Sequence, residues 1–196
     1  MSPGFEDSTA IPPDVLTLGD DAWRDALRAA VARAPSPSLA VAGVGRLLAE
    51  GGADALRSWP VADLADLLCV LGSSPALTRH LVGHGAGWPL AAALYRERNP
   101  GIERLIERTG ITDDDDFDAI AHGLRRMARS EMYRIGARDL LGIATLDETL
   151  EGITSLAEAA LRVATDRLRA LHARETGDAV DDSGRPIPFV VLGLGK

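Results

Sequence analysis

In the first half of the chain, apolar residues recur at helical spacing in short segments separated by proline and glycine. Between residues 23 and 34 the apolar positions share one helix face, and Pro35 ends the segment. Residues 39–50 form a second such segment, which two internal glycines weaken and Gly51 ends. The pattern predicts a succession of short helices.

A third segment begins at Pro60, which suits the first position of a helix, and ends at Gly72. Its predicted apolar face consists of Val61, Leu64, Ala65, Leu68 and Leu71. Ser74 before Pro75 is a typical pair of N-cap and first-turn residue, and it predicts the start of another short helix. One or two further apolar helical turns are expected over residues 88–95.

Four successive aspartates, Asp113 to Asp116, allow two interpretations. The first is a metal site, but consecutive carboxylates point in different directions and rarely converge on one ion. The second is a helix start, because Thr112 followed by aspartates is typical of an N-cap and a first turn, where negative charge opposes the helix dipole. We favour the helix start.

The helix after this run places charged residues within its apolar face. A turn of about 100° per residue puts Glu131 and Arg138 inside the face and Arg134 at its edge. We expect Glu131 to pair with Arg134 or Arg138 under a neighbouring helix, because a buried charge must be compensated. A direct role in substrate binding is the alternative. The apolar members of this face are Phe117, Ile120, Ala121, Leu124, Met127, Ala128, Met132 and Ile135.

A capping box predicts the start of a last, long helix. Thr145 and Glu148 can satisfy the exposed amides of its first turn, and Gly177 is the expected end. The predicted buried face consists of Leu146, Leu150, Ile153, Leu156, Ala160, Leu161, Ala164, Leu168 and Leu171.

Beyond this helix the pattern changes to a polar turn and then to a continuous apolar run at residues 188–192, which predicts a buried β-strand. Gly193, Gly195 and Lys196 come directly after it. Glycines after a strand let backbone amides approach a phosphate, and a lysine adds positive charge. A nucleotide loop is therefore one interpretation and a simple turn the other, since the spacing is not that of a Walker A loop.

Composition favours an all-α protein with an aliphatic core. Hydrophobic residues make up 46% of the chain and aromatic residues only 4%. The net charge of -8 argues against a broad nucleic-acid-binding surface. The single cysteine, Cys69, excludes an internal disulfide and is expected to be a small buried residue in a reducing compartment. No secretory signal or membrane span is visible, so we expect a cytoplasmic protein.

Three segments carry a resemblance to a known family: residues 124–142, residues 154–159 and residues 189–196, the last reading Phe-Val-Val-Leu-Gly-Leu-Gly-Lys. In order and spacing they resemble the lead-in to the first catalytic domain of bacterial glutamine synthetase adenylyltransferases, and the similarity extends over residues 64–196. The resemblance implies a mainly α fold, in which a helical lead-in bundle is followed by the first β-strand of an incomplete nucleotidyltransferase (α+β) domain.

Four regions are expected on this basis. Residues 1–20 would form a flexible arm and residues 21–110 an N-terminal helical region. Residues 111–178 would be long helices that lead into the catalytic domain. Residues 186–196 would be the first strand and glycine loop of that domain.

The resemblance also implies an activity. Enzymes of this family attach AMP from ATP to a tyrosine of glutamine synthetase and remove it by phosphorolysis, and so regulate nitrogen assimilation. The ending at Lys196 is closer to the motif of the deadenylylating domain. Of the nucleotide site only Gly193, Gly195 and Lys196 can be carried over. Magnesium and ATP or ADP are the implied cofactors, but the Asp-x-Asp pair that comes after this loop in the family and holds magnesium is not present. We therefore expect the chain alone to be inactive and to bind none of them.

The implied partners are glutamine synthetase and a nitrogen-signalling regulatory protein. A non-catalytic interaction module is the alternative to the enzyme, and it would bind either partner through Arg125, Arg126 and Arg129, which lie on the polar face of their helix. A plain helical scaffold is the third interpretation.

Overall fold

The computed structural model describes residues 10–191, and helices make up most of this part. The expectation of a mainly α protein is confirmed. The helices are α1 (Pro13–Leu16), α2 (Asp21–Arg33), α3 (Pro37–Ala49), α4 (Ala53–Arg57), α5 (Leu64–Ser73), α6 (Pro75–Val82), α7 (Trp88–Ala92), α8 (Ile102–Thr109), α9 (Phe117–Leu140) and α10 (Leu146–Thr176). Short 3-10 turns lie at Val61–Asp63, Gly85–Gly87 and Ala93–Arg96.

The chain divides into two compact units. The first unit comprises the residues up to Arg98 together with Met132–Thr149. The second unit comprises Asn99–Glu131 and the residues from Leu150 onward. Each of the two long helices, α9 and α10, therefore contributes residues to both units.

Serine side chains cap two helices of the first unit, and the sequence predicts the cap at Ser74. The Ser74 side chain accepts a hydrogen bond from the amide of Leu77 at 3.3 Å, and Pro75 occupies the first turn of α6. The same arrangement opens α3, where Ser36 accepts from the amide of Leu39. Each cap satisfies an amide that has no partner inside the helix, and the proline needs none.

Helix α5 lies at the centre of the first unit and packs against α2, α3 and α6. The approach to α3 is close because Gly43 has no side chain. A Cβ atom at this position would lie 3.0 Å from Cβ of Leu71. Gly43 weakens the helical preference of α3, but it permits the tight contact that an aliphatic core requires.

The predicted apolar face of α5 is only partly correct. Leu64, Leu68 and Leu71 are buried, but Val61 is 50% exposed. Val61 lies in the 3-10 turn that precedes α5, so the helical spacing does not extend to it. Ala65 is exposed as well, whereas the face that is buried also includes Leu67 and Val70. Cys69, expected to be buried, is only half-buried.

The start of α9 differs from the prediction. The N-cap is Asp116, whose carboxylate accepts from the amide of Ala119 at 2.9 Å, and Thr112 lies outside the helix. The amide of Thr112 instead donates to the Asp115 carboxylate at 2.7 Å, which closes a turn before the helix. Several adjacent residues are chemically able to cap this helix, and the turn selects the last one.

The predicted buried face of α10 is largely wrong. Leu156 is buried, but five of the large apolar residues named for this face are exposed: Leu146 at 71%, Leu150 at 53%, Ile153 at 44%, Leu161 at 47% and Leu168 at 37%. The helix buries a face of mostly small residues instead: Gly152, Ser155, Leu156, Ala159 and Val163. On α9, Phe117 and Met132 are likewise exposed, whereas Ile120, Met127 and Ile135 are buried as expected.

The predicted first β-strand is not supported. Residues 188–191 belong to no regular element, and Leu192 lies outside the described residues. An isolated antiparallel bridge joins Val180 and Pro186 around a turn that the Asp181 carboxylate stabilises. A strand needs a neighbour to satisfy its amides and carbonyls, and the described residues offer none for this segment.

Within residues 10–191, no individual helix has both the length and the apolar character needed to cross a membrane. One bent pair, Val61–Ser73 with Pro75–Val82, passes the same test of length and composition when its two helices are taken together.

The burial of a leucine side chain predicts how much it contributes to the free energy of unfolding. Leu68 is 0% exposed and Leu90 is 83% exposed, and both lie in helices of the first unit. We expect Leu68→Ala to lower the free energy of unfolding by about 2–5 kcal/mol, because it removes buried apolar contacts and leaves a cavity. Leu90→Ala is the matched control and should change it by less than about 0.5 kcal/mol.

Urea unfolding followed by fluorescence is a suitable measurement, since Trp23, Trp59 and Trp88 are all buried in this unit. Equal effects of the two substitutions would contradict the packing described above.

Candidate functional site

The sequence-predicted nucleotide residues, Gly193, Gly195 and Lys196, lie outside the described residues. The described candidate region is therefore the part of the chain that leads up to them, helices α9 and α10 with the charged residues that hold them. Its chemistry depends on where the charges of α9 find their partners.

No group of three or more His, Cys, Asp or Glu side chains within residues 10–191 is arranged to hold a metal ion. In the aspartate run, Asp113 forms an ion pair with Arg167 of α10, and its carbonyl accepts a hydrogen bond from Arg174. Both contacts lie in the second unit and join the turn before α9 to α10.

Glu131 is the buried acid of the second unit. Its side chain is 1% exposed, and Nη1 of Arg108 donates to its Oε1 at 2.5 Å. The prediction that it is buried and paired is confirmed, and Arg108 on α8 is one such partner. A buried carboxylate is tolerated only when such a partner compensates the lost hydration. The pair thus joins α8 to α9.

Arg138 is a buried base of the first unit, with its side chain 7% exposed. Its Nε and Nη2 donate to Oε1 of Glu148 at 3.1 and 2.7 Å, and its Nη1 donates to the carbonyl of Tyr95 at 2.8 Å. Within the first unit, the carboxylate that compensates Arg138 is therefore that of Glu148. Glu148 belongs to the predicted capping box, in which Oγ1 of Thr145 accepts from the Glu148 amide at 3.2 Å. One guanidinium thus links the end of α9 to the start of α10.

Two neighbours of Arg138 on α9 reach backbone carbonyls of the first unit. Nη1 of Arg134 donates to the carbonyl of Glu97 at 3.4 Å, and the hydroxyl of Tyr133 donates to the carbonyl of Ala92 at 3.2 Å. Tyr133 is 1% exposed, and burial raises the pKa of its phenol well above the usual range. Neither contact could be predicted from helical spacing, because the partners lie about 40 residues away in the sequence.

The polar-face arginines of α9 differ in their surroundings. All three are exposed, but Arg126 also donates to the carbonyl of Thr109 at 2.7 Å, at the end of α8. Gly123 lets α9 approach the adjacent turn, because a Cβ there would lie 2.7 Å from Cγ1 of Ile111. The hydrogen bond of Arg126 therefore joins α9 to the end of α8 in the second unit.

Contacts of α10 within the second unit complete this region. Oγ of Ser155, on the buried face of α10, accepts from Nδ2 of Asn99 at 3.2 Å, and Arg162 forms an ion pair with Glu103 at 3.2 Å. The hydrogen bonds and ion pairs described here hold helices in place within their units. Holding helices in place is the role that this arrangement of side chains supports.

Comparisons with known proteins identify relatives. Residues 64–196 match the profile of the family described as glutamate-ammonia ligase adenylyltransferase. A relative from Nitrosococcus oceani is 43% identical over 126 residues, which cover 62% of this chain and 12% of the relative. Relatives from Pseudomonas aeruginosa and Shewanella oneidensis are 30% and 29% identical over 72% and 76% of this chain, and 15% and 16% of their own lengths.

All three relatives are described as bifunctional glutamine synthetase adenylyltransferase/adenylyl-removing enzymes. The chain spans less than a fifth of the length of each. No solved structure matches it.

The Arg138 contacts predict a large effect of one substitution. Arg138→Met keeps most of the side-chain volume but leaves Glu148 and the Tyr95 carbonyl without their donor. We expect the free energy of unfolding to fall by about 3 kcal/mol. Arg125→Met, an exposed site on the same helix, should change it by less than about 0.5 kcal/mol.

Chemical denaturation of the two variants and of the double variant Arg138→Met/Glu148→Met provides the measurement. The double variant should recover part of the loss, because it no longer contains the uncompensated carboxylate. If Arg138→Met were as stable as the Arg125→Met control, the ion pair of Arg138 and Glu148 would not contribute to stability.

Both tyrosines of the chain, Tyr95 and Tyr133, have raised pKa values, and burial is the main cause in each case. In the unfolded chain these phenols ionise near pH 10. Their contribution to stability is therefore complete below about pH 10 and is lost as the pH rises toward the higher folded values, because the unfolded state releases its protons first. We expect phenolate absorbance to appear together with loss of the helical circular-dichroism signal during alkaline titration.

The control is Tyr133→Phe, which removes the more deeply buried phenol and should weaken the fall of stability above about pH 10. Ionisation of both phenols near their ordinary pKa, with the helices intact, would contradict the burial of Tyr133.

Proposed function

Because the chain belongs to the glutamate-ammonia ligase adenylyltransferase family, we propose that it is the helical lead-in of an enzyme that adds AMP to glutamine synthetase and removes it. The observation that carries the proposal is the family match over residues 64–196, which includes α9, α10 and the glycine loop. The names of the relatives support both the reaction and the substrate protein.

In this enzyme the described residues hold the reactive segment in position. Rigid elements hold a reactive site more accurately than loops do, and α9 and α10 are fixed within their units by buried ion pairs. Their role is to fix the segment that carries Gly193, Gly195 and Lys196. In that loop, glycine amides would approach the phosphates of the nucleotide and the lysine would add positive charge.

The family resemblance implies that the enzyme uses magnesium and ATP or ADP. Magnesium would supply charge stabilisation of the transferred phosphoryl group. Residues 10–191 contain no group of three or more side chains arranged to hold a metal ion. We assign the metal and the nucleotide to residues outside this range. We expect the chain alone to be inactive because the Asp-x-Asp pair that comes after the glycine loop in the family is missing.

We also propose that residues 188–192 form a strand once neighbouring strands are present. Phe189, Val190 and Val191 are 62%, 70% and 45% exposed, and a continuous apolar run of this kind suits the interior of a sheet. Pairing with adjacent strands would satisfy its backbone groups and bury these side chains together.

The Gly-Leu-Gly-Lys loop favours removal of AMP by phosphorolysis as the reaction of this part of the enzyme. From the sequence we also propose that the protein is cytoplasmic and that a nitrogen-signalling regulatory protein is its second partner. The alternative of a non-catalytic interaction module has less support, because Arg126 of its proposed arginine cluster already donates a hydrogen bond to the Thr109 carbonyl at the end of α8.

An assay of AMP removal tests the proposed function. Two forms are compared: the short form, residues 1–196, and a long form in which the gene's reading frame is carried past Lys196. Each is incubated with AMP-modified glutamine synthetase, phosphate and magnesium, and ADP release is measured. We expect release by the long form and none above background by the short form, because the short form lacks the carboxylates that would hold the metal.

Unmodified glutamine synthetase serves as the control for contaminating ADP. Release by the short form would mean that catalytic groups lie within it. A long form that neither releases ADP nor adds AMP from ATP would refute the proposed activity.

A further inference from the structure

Helix α10 has two apolar faces within the second unit. One is buried and includes Gly152, Leu156 and Val163. The other is exposed to solvent and consists of the four residues that we call the α10 stripe: Leu150 at 53%, Ile153 at 44%, Leu161 at 47% and Leu168 at 37% exposure.

The stripe is a continuous feature of the helix surface. At about 100° per residue its four members fall within a sector about 80° wide, and the centre of this sector lies about 150° from that of the buried face. From Leu150 to Leu168 the stripe runs for about 27 Å. Single exposed leucines need no explanation, but an aligned set of this length marks a surface that a partner covers.

A second exposed apolar stretch lies further along the chain in the same unit. Ile187, Phe189, Val190 and Val191 are between 45% and 70% exposed. Nη2 of Arg169 donates to the carbonyl of Ile187 at 3.5 Å, which holds this stretch beside the C-terminal half of α10. The chain thus leaves the described region next to the helix that carries the stripe.

The relatives are much longer than this chain. It spans only 12% to 16% of the three relatives compared above, and the family match continues to the last residue, Lys196. A segment joined to residue 191 by a few residues has an effective concentration near the millimolar range, which a free second copy would rarely reach. A covalently attached domain is therefore favoured over a second copy as the occupant.

We propose that the α10 stripe is the docking surface for the domain that comes after residue 196 in the longer form of this protein. That domain would present an apolar face to Leu150, Ile153, Leu161 and Leu168. Docking fixes the orientation of the glycine loop relative to α10. The inference rests on the proposed function in one respect, namely that a catalytic domain comes after the lead-in.

Cysteine labelling tests the docking in the short and long forms defined above. In a Cys69→Ala background, Leu161→Cys reports on the stripe, and Glu151→Cys is the matched control on another exposed face of α10. Maleimide should label both sites at similar rates in the short form. In the long form the rate at position 161 should fall at least tenfold, while the rate at position 151 changes less than twofold. Ile153→Cys provides a second reporter, and circular dichroism checks that each variant is folded.

Equal labelling rates at position 161 in the two forms would overturn the proposal. Slow labelling already in the short form would overturn it as well, and dependence on protein concentration would then identify a second copy as the occupant. A reading frame that stops at Lys196 would leave no further domain and would also refute it.

Activity measured on the same long form separates this inference from the proposed function. Protection of position 161 in an inactive long form would support the docking surface and count against the reaction. Full activity with an unprotected stripe would support the reaction and overturn the docking surface.

Discussion

A charged side chain removed from water must meet an opposite charge or several hydrogen-bond partners, and α9 carries such side chains in both units. In the second unit Glu131 is compensated by Arg108, and in the first unit Arg138 is compensated by Glu148 and a backbone carbonyl. Displacing such an ion pair would leave an uncompensated charge in an apolar interior, a cost that adds to the loss of apolar contacts. Within each unit, the position of α9 therefore depends on these contacts.

Local chemistry makes much of the fold predictable. A helix start with a serine cap and a proline, such as Ser74 and Pro75, depends on neighbouring residues only, and this predicted start is confirmed. The predicted start of α9 is misplaced because Thr112 and the aspartates after it compete for the same role, and the choice of Asp116 depends on the turn that the preceding residues form. Local sequence identifies that a helix begins here but does not select among equivalent caps.

In the candidate region the sequence predicts which charged residues are buried, but it does not predict partners that come from other helices. The spacing of α9 correctly places Glu131 and Arg138 in the interior, since burial follows the helical period, and Arg134, predicted at the edge of the face, is buried as well. The partners Arg108 and the Tyr95 carbonyl cannot be derived in this way, because they come from other elements and single-sequence spacing supplies only neighbours three or four residues away. Family membership is recognisable for a different reason. It depends on the order of motifs along the chain, which the family match over residues 64–196 confirms.

The misassigned face of α10 shows what apolar periodicity leaves undetermined. A helix with large apolar residues on one side and small residues on the other has two surfaces that can pack. Side-chain size alone predicts that the side with the leucines is the buried one. The second unit uses the small side, where Gly152, Ser155 and Ala159 allow neighbouring elements to come close. Burying the small residues first leaves the leucines free to contact a further layer. Periodicity therefore reports how many faces of a helix are suited to packing, and only the three-dimensional arrangement shows which of them the chain's own neighbours cover.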